Sequence, residues 1–201
     1  MTIFVSFDGP KGVGKTTVID SVEAELRTSC SVVRFAEKDL DPFRGQSRQL
    51  LAALPEAGDI SLEMEAVRLL ARGRREITLW LAGQAGVDVV LMDRWYPSDA
   101  ALRRSVPFQD CLAENLRIDV AVPDLVIALV CDPDEAWARA NRRGRGLDSS
   151  VIRSQADHRR SFTTFTSAAK AHGWLVVRND GPPHEAALSI AEAVRGALGS
   201  R

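Results

Sequence analysis

A run of glycine, lysine and threonine residues near the start of the chain has the spacing of a phosphate-binding loop. It matches the pattern G-x-x-x-x-G-K-[ST] and is followed by Thr17; its residues are Gly9, Pro10, Lys11, Gly12, Val13, Gly14, Lys15 and Thr16. In such a loop the backbone N–H groups surround a phosphate, Lys15 reaches the β and γ phosphates, and the Thr16 hydroxyl ligates Mg²⁺. The sequence therefore predicts that these residues bind ATP and Mg²⁺.

A second reactive group, Asp93 and Arg94, follows the apolar run of residues 87–92. Ligands of parallel α/β sheets collect at the carboxyl ends of the strands, so both side chains should lie near the loop. Asp93 could hold Mg²⁺, and the planar guanidinium of Arg94 could bind a second phosphate with two hydrogen bonds. The alternative is a surface ion pair or a helix cap.

Arginines are also clustered between two predicted helices, at Arg139, Arg142, Arg143 and Arg145. A mobile lid over the transferring phosphoryl group would place a guanidinium against its charge and exclude water. The alternatives are a solvated basic loop and a contact with nucleic acid.

Other charged side chains are less informative. A stripe on the predicted long helix could face a substrate or be solvated beside Glu65 and Glu76; it contains Arg68, Arg72 and Arg75. The three histidines lack the spacing of metal ligands, and we interpret them as structural or surface residues.

The elements that position these groups alternate between strand and helix. Strands are expected near residues 3–7, 31–35, 87–92, 125–131 and 174–177. Helices are expected near residues 16–26, 48–54, 61–81, 98–104, 109–120, 134–142 and 149–171, with a last one after Pro183. Ser61 is the expected N-cap of the long helix. This order predicts an α/β fold in three layers, with a five-stranded parallel sheet between helices.

Composition limits the functional class. The chain has 201 residues and a net charge of −1, so it has no global basic field that would hold a nucleic acid. Its three cysteines lack the spacing of a zinc site and suggest a reducing compartment. We expect one cytoplasmic domain over residues 1–201, with a lid near residues 139–150 and neither nucleic acid nor membrane as a partner.

With these pieces in order, the chain resembles the thymidylate kinase family of P-loop nucleoside monophosphate kinases. The family's opening F-E-G-x-D-G-x-G-K-T-T is similar to residues 7–17, its D-R-[YFHW]-x-x-S to residues 93–98, its P-D-L strand to residues 123–129 and its lid R-G-x-L-D to residues 143–148. The resemblance implies a homodimer that transfers the γ-phosphoryl group of ATP to a nucleotide.

The resemblance also implies roles for single residues. The catalytic group is Lys15, Asp93, Arg94, Arg143 and Arg145, and Arg139 joins the loop in binding ATP. The acceptor-binding group is Asp8, Lys11, Glu37, Arg68, Arg72, Arg94, Ser98 and Asp99.

Departures from the family pattern concentrate in the acceptor pocket. Lys11 replaces an acidic loop residue, and Asp99 replaces the neutral side chain that reads the base. A carboxylate only accepts hydrogen bonds, which favours an amino-bearing, cytosine-type base over thymine. The alternative is that Asp99 pairs with Arg103, one helical turn later, and touches no base.

Three other functions stay open at the level of sequence. A kinase of nucleosides or other small molecules would share most of this frame. A nucleotide-dependent switch ATPase is disfavoured because its extra loop lysine would fall at Pro10. An RNA-binding protein would rely on the arginines.

Overall fold

The computed structural model describes residues 2–84, 86–142 and 151–200. Its strands are β1 (Ile3–Asp8), β2 (Val32–Ala36), β3 (Val89–Asp93), β4 (Leu125–Val130) and β5 (Leu175–Arg178). Its helices are α1 (Lys15–Leu26), α2 (Glu37–Leu40), α3 (Arg44–Ala52), α4 (Ile60–Ala82), α5 (Tyr96–Leu102), α6 (Phe108–Arg117), α7 (Pro133–Arg142), α8 (Gln155–Ala171) and α9 (Pro183–Gly199). The predicted alternation of strands and helices is confirmed.

The described strands form one parallel sheet in the order β2-β3-β1-β4-β5. At its carboxyl edge Phe7 and Ala36 both pair with Asp93, so the residues that follow β1, β2 and β3 come together. The phosphate-binding loop and the segment after β3 therefore start side by side, as the sequence predicts.

Apolar packing covers both faces of this sheet. On β3, Val89 and Leu91 belong to one buried cluster, with α1 and α9, whereas Met92 belongs to a second cluster, with α4, α5 and α6. Successive strand residues point to opposite faces, so this division places helices on each side. The expected α/β fold with a five-stranded parallel sheet is thus confirmed.

Some helix boundaries differ from the sequence-based prediction. The side chain of Asp59, not Ser61, caps α4 by accepting from the amides of Ser61 and Leu62. Helix α8 begins at Gln155 after the cap Ser154, later than residue 149. The short helix α2 has no periodic pattern of apolar residues, and for this reason the sequence did not predict it. Among the described residues, no helix is long and apolar enough to span a membrane.

Candidate active site

The loop between β1 and α1 has a backbone that depends on glycine. Gly12 and Gly14 adopt φ values of 90° and 87°, where other residues are strained. A Cβ on Gly12 would overlap the carbonyl oxygen of Ala136, and one on Gly14 would overlap the side chain of Asn179. The conformation leads directly into the first turn of α1, so loop amides and the helix amino terminus face one ligand position.

Lys15 is buried in this loop and is held by the loop itself. Its Nζ donates to the carbonyl oxygens of Gly9 and Pro10, at 2.7 and 2.8 Å. Burial lowers the pKa of Lys15 well below its usual value, and the charge of Arg94 adds to this effect against Asp93 and Asp8. A buried ammonium group whose charge is disfavoured suits an anion, because phosphate oxygens would restore the charged form.

Two buried side chains from distant elements hold the loop. His158 of α8 is hydrogen-bonded to the carbonyl oxygen of Lys11 at 2.8 Å; since a carbonyl only accepts, its Nε2 carries the proton. Asn179, after β5, donates from Nδ2 to the carbonyl oxygen of Val13 at 2.8 Å. The loop is thus tied to both α8 and the end of β5.

Asp8 and Ser98 connect the loop to the segment after β3. Oδ1 of Asp8 accepts from the amides of Trp95 and Ser98, each at 3.0 Å, and the Ser98 hydroxyl accepts from the Gly9 amide at 3.1 Å. All three contacts are internal to the protein. The structure therefore gives Asp8 and Ser98 a positioning role, and their predicted contact with the acceptor stays a prediction.

Asp93 and Arg94 lie at the carboxyl end of β3, beside Lys15. Arg94 has φ 73°, a left-handed conformation that is rare for a bulky residue, and its amide donates to the carbonyl oxygen of Phe7 at 3.0 Å. Thr16 is exposed in the first turn of α1, and Asp93 is half-buried. These two oxygen-bearing side chains could complete a Mg²⁺ site together with phosphate oxygens.

A cavity of about 390 Å³ opens next to the loop, which we call the acceptor groove. It is lined by Lys11, Arg44, Ser47, Arg48, Leu51, Arg94, Asp99, Leu102, Arg103, Val151 and Ile152. Its volume falls in the range of small-molecule sites. Of the predicted acceptor residues, the structure brings Lys11, Arg94 and Asp99 together here.

Asp99 is paired with arginines. Its Oδ1 accepts from Nη2 of Arg103 at 2.7 Å, and its Oδ2 lies 3.4 Å from Nη2 of Arg74. Burial alone would raise the pKa of Asp99, but Arg103 and Arg74 outweigh it and hold the pKa below its usual value. The alternative named for this residue, an ion pair with Arg103, is therefore what the structure shows.

Arg74 of α4 is the centre of a buried network behind the groove. Its side chain is 1% exposed and donates to Oε1 of Glu37 at 2.6 Å and to Oδ1 of Asn115 at 3.2 Å. Burial raises the pKa of Glu37 despite the nearby Arg74 charge. Glu37 thus contacts a guanidinium, and its predicted contact with the acceptor stays a prediction.

The remaining predicted residues lie elsewhere. Arg68 and Arg72 line a different cavity, of about 520 Å³, between α3 and α4, where Arg72 also stacks over Phe43 at 5.0 Å. Arg139 donates to Glu135 at 2.7 Å and to the carbonyl oxygen of Asn179 at 3.4 Å, close to the loop. The predicted lid residues Arg143 and Arg145 lie outside the described residues.

A glycine-shaped loop between a parallel strand and a helix, with a buried lysine at its end, defines the class of P-loop nucleotide-binding proteins. The thymidylate kinase family model matches residues 7–189 of this chain. The chain belongs to the thymidylate kinase family. It is an ATP-dependent phosphotransferase of the nucleoside monophosphate kinase class, as the resemblance implied.

Two curated relatives agree with this assignment. The chain is 32% identical over 146 residues to a thymidylate kinase of Halalkalibacterium halodurans, covering 69% of each protein. It is 29% identical over 175 residues to a thymidylate kinase of Leuconostoc citreum, covering 81% of this chain and 79% of the relative.

Sequence reasoning missed several residues of the site, namely Arg44, Arg48, Arg74, Asn115, His158 and Asn179. The spacing of Arg44 and Arg48, one helical turn apart, was a signal that could have been used. The contacts of Arg74, His158 and Asn179 join residues far apart in sequence, and no local pattern marks them.

Proposed function

We propose that this chain transfers the γ-phosphoryl group of ATP to the phosphate of a pyrimidine nucleoside monophosphate bound in the acceptor groove. The observation that carries the proposal is that two groups suited to binding phosphate lie next to each other. The loop around Lys15 suits the phosphates of ATP, and Arg94, which lines the groove, suits the phosphate of the acceptor. Lys15 is buried, and burial disfavours its positive charge. Phosphate oxygens would restore that charge, which supports the assignment of the loop as the binding site of the ATP phosphates.

The chain's residues have separable tasks in this transfer. Lys15 and the loop amides hold the donor phosphates and neutralise charge as the γ-phosphoryl group moves. Thr16 and Asp93 would hold Mg²⁺, which would offset the negative charge of the phosphates. Arg94 orients the acceptor phosphate, whose oxygen forms the new bond to phosphorus while the bond to the leaving ADP breaks. We propose that Arg139, Arg143 and Arg145 belong to a lid over the transferring phosphoryl group.

The hypothesis of a cytosine-type base depends on Asp99 as an available acceptor. In the structure both of its oxygens face arginines, so an exocyclic amine would have to displace an ion pair. The geometry therefore removes the advantage expected for cytosine. We propose that thymidylate, the acceptor that the relatives' names give, is used at least as well as deoxycytidylate.

The test is product formation over a panel of acceptors. The purified protein is incubated with Mg-ATP and thymidylate, deoxycytidylate, uridylate or the matching nucleosides, and ADP and the phosphorylated product are separated chromatographically. We expect nucleoside diphosphates from the monophosphates and no product from the nucleosides. Product from nucleosides alone would contradict the assignment of Arg94.

A homodimer is also proposed, on the basis of the family resemblance. Light scattering over a range of protein concentrations tests it, and a constant monomer mass would refute it.

A further inference from the structure

Two amides of the phosphate-binding loop, those of Gly12 and Gly14, have no acceptor within the fold. Both glycines are half-buried. Among residues 2–84, 86–142 and 151–200, neither amide donates a hydrogen bond to another atom of the chain. Amides that the fold leaves without an acceptor suit a ligand oxygen, and a phosphate offers several. The direction in which each N–H points decides whether it can reach such a ligand.

The direction of the Gly12 amide follows from the carbonyl group of the same peptide, which belongs to Lys11. A trans peptide is planar, so its C=O and N–H groups point in opposite directions, and the described residues have no cis peptide bonds. Nε2 of His158, a fully buried side chain of α8, donates to the carbonyl oxygen of Lys11 at 2.8 Å. This carbonyl therefore points into the protein, and the Gly12 amide points outward to the ligand position.

Asn179 has the same relation to the amide of Gly14. Its Nδ2 donates at 2.8 Å to the carbonyl oxygen of Val13, which shares a peptide with that amide. Asn179 is buried, and its own amide donates to the carbonyl oxygen of Val130 at 2.8 Å, so the end of the sheet holds it in place. The Val13 carbonyl is thus directed inward and the Gly14 amide outward.

The His158 ring is held by aromatic neighbours and contributes one hydrogen-bond donor. Its centroid lies 5.5 Å from that of Trp137 and 6.3 Å from that of Phe162. Its Nδ1 is buried and has no hydrogen-bond partner within the part of the chain that the structure describes. An unpaired buried nitrogen costs stability, and a phenyl ring would fill the same space without that cost. The donor at Nε2 therefore explains an imidazole at this position better than packing does.

We propose that His158 and Asn179 are positioning residues that orient the Gly12 and Gly14 amides toward the phosphates of the donor nucleotide. This inference rests on the proposed function, because it takes the loop as the binding site of ATP. Each side chain acts through the carbonyl oxygen that it holds and does not touch the nucleotide. Amides that are fixed before the ligand arrives need no reorganisation when phosphate binds or when charge moves to the leaving ADP.

Two substitutions remove these donors and keep the shape of the side chain. His158→Phe retains a ring, and Asn179→Leu retains a branched side chain of similar size. We expect each to raise the dissociation constant of ADP, measured by calorimetry, and the KM for ATP about tenfold, because one hydrogen bond to a charged oxygen is weakened. The KM for thymidylate should stay nearly constant. His158→Gln places an N–H the same number of bonds from Cβ and should restore most of the affinity for ADP.

Nuclear magnetic resonance of isotope-labelled protein tests which amide each residue orients. An amide that donates to a phosphate oxygen moves downfield when ADP is added. We expect His158→Phe to reduce this shift for Gly12 and Asn179→Leu to reduce it for Gly14, each leaving the other amide as in the wild type.

The control is Phe165→Leu, which changes a buried side chain of α8 that packs on Trp174. It should lower stability and leave both the amide shifts and the ADP affinity unchanged. Circular dichroism checks the fold of every variant, and Asn179→Leu tests the inference by itself if His158→Phe does not fold.

The outcomes separate this inference from the proposed function. If the wild type binds ADP and the folded variants bind it equally well, the inference alone is overturned. Equal weakening by His158→Phe and His158→Gln also overturns the role of His158, because ring packing and not the donor would then matter. An equal rise in the KM for ATP and for thymidylate would indicate a general disturbance of the site and would contradict the inference. A wild type that binds no ADP would refute the assignment of the loop and the inference with it.

Discussion

The phosphate-binding loop and the acceptor groove lie side by side, but different parts of the chain form their binding surfaces. The loop is defined by backbone: glycine conformations, inward amides and one lysine held by carbonyl oxygens. The groove is defined by side chains, among them four arginines, two from α3 and two from the segments that flank α5. Backbone geometry tolerates little change, whereas side chains at a groove can be exchanged without altering the fold. This difference explains why the glycine and lysine positions that shape the loop match the family pattern, whereas Lys11 and Asp99, which line the groove, depart from it.

The two regions also differ in how their charges are balanced. In the loop a single buried ammonium group contacts neutral carbonyl oxygens, and its pKa is lowered chiefly by burial. Behind the groove, Arg74 is matched by Glu37 and Asp99, and its pKa is raised because these carboxylates outweigh burial. The loop is therefore prepared for an anion, whereas the network behind the groove is already satisfied and serves to fix positions.

The largest effect is expected for Lys15→Ala. This change removes the cation that faces the donor phosphates, and kcat should fall about a thousandfold or more, because developing charge is left uncompensated in a closed site. Steady-state kinetics with Mg-ATP and the best acceptor of the panel measures it. The matched control is Lys170→Ala, which removes an exposed lysine of α8 and should retain activity. Full activity of Lys15→Ala would contradict the role of the loop.

Gly12→Ala tests whether the backbone shape of the phosphate-binding loop, which holds the ATP phosphates, controls turnover. The added Cβ would overlap the carbonyl oxygen of Ala136 at a φ of 90°, so the loop must shift. A displacement near 1 Å lowers turnover about a hundredfold. Gly196→Ala is the control, since a Cβ in that part of α9 meets open space. It should leave kinetics unchanged and stabilise the protein by up to about 1 kcal/mol. Normal kinetics for Gly12→Ala would refute the contrast between the regions.

Arg94→Ala should affect the two regions unequally. Loss of a charge-assisted pair raises the KM for the acceptor about 10- to 100-fold, while the KM for ATP stays nearly constant. Arg94→Lys keeps the charge but loses the planar fork. Its KM for the acceptor should therefore lie between those of the wild type and Arg94→Ala. Both constants come from one set of two-substrate kinetics. An equal rise in the KM for ATP would place Arg94 on the donor side instead.

The donor side could be predicted from sequence because its information is local. Loop, strand and helix are contiguous from Ile3 to Leu26, and glycine spacing reports the backbone shape directly. The segment Asp93-Arg94 was also correctly placed at a strand end, because parallel strands bring their carboxyl ends to one edge. The contact of His158 with Lys11, by contrast, joins residues 147 positions apart.

The acceptor side could not be predicted to the same degree because its contacts are nonlocal. Several arginines fall on α4, and the spacing of the apolar residues in that helix does not predict which arginine is buried. Arg74 is buried because Glu37 and Asp99, from two other elements, supply its partners. Arg68 and Arg72 instead face the neighbouring helix α3. Only the assembled fold distinguishes these positions.

The smallest effect is expected for Asp99→Asn, and its pH dependence gives it a clear signature. Arg103 and Arg74 hold the pKa of Asp99 below its usual value of 3.8, against the effect of burial. A carboxyl group with a depressed pKa contributes stability that is present above its unfolded pKa and is lost as pH falls through the folded value. Asparagine cannot ionise, so the variant lacks this contribution at every pH.

The variant should therefore be less stable than the wild type near neutral pH by about 1.5–3 kcal/mol, the typical value of a hydrogen bond to a charged group. The effect stays modest because Arg74 keeps Glu37 as a partner and asparagine can still accept from Arg103. Urea unfolding from pH 7 down to about pH 2.5 measures the difference, which should narrow below pH 3.8. A difference that stays constant over this range would mean that the carboxylate of Asp99 is not stabilised by its arginines. The groove would then lose the charge pairing that sets it apart from the loop.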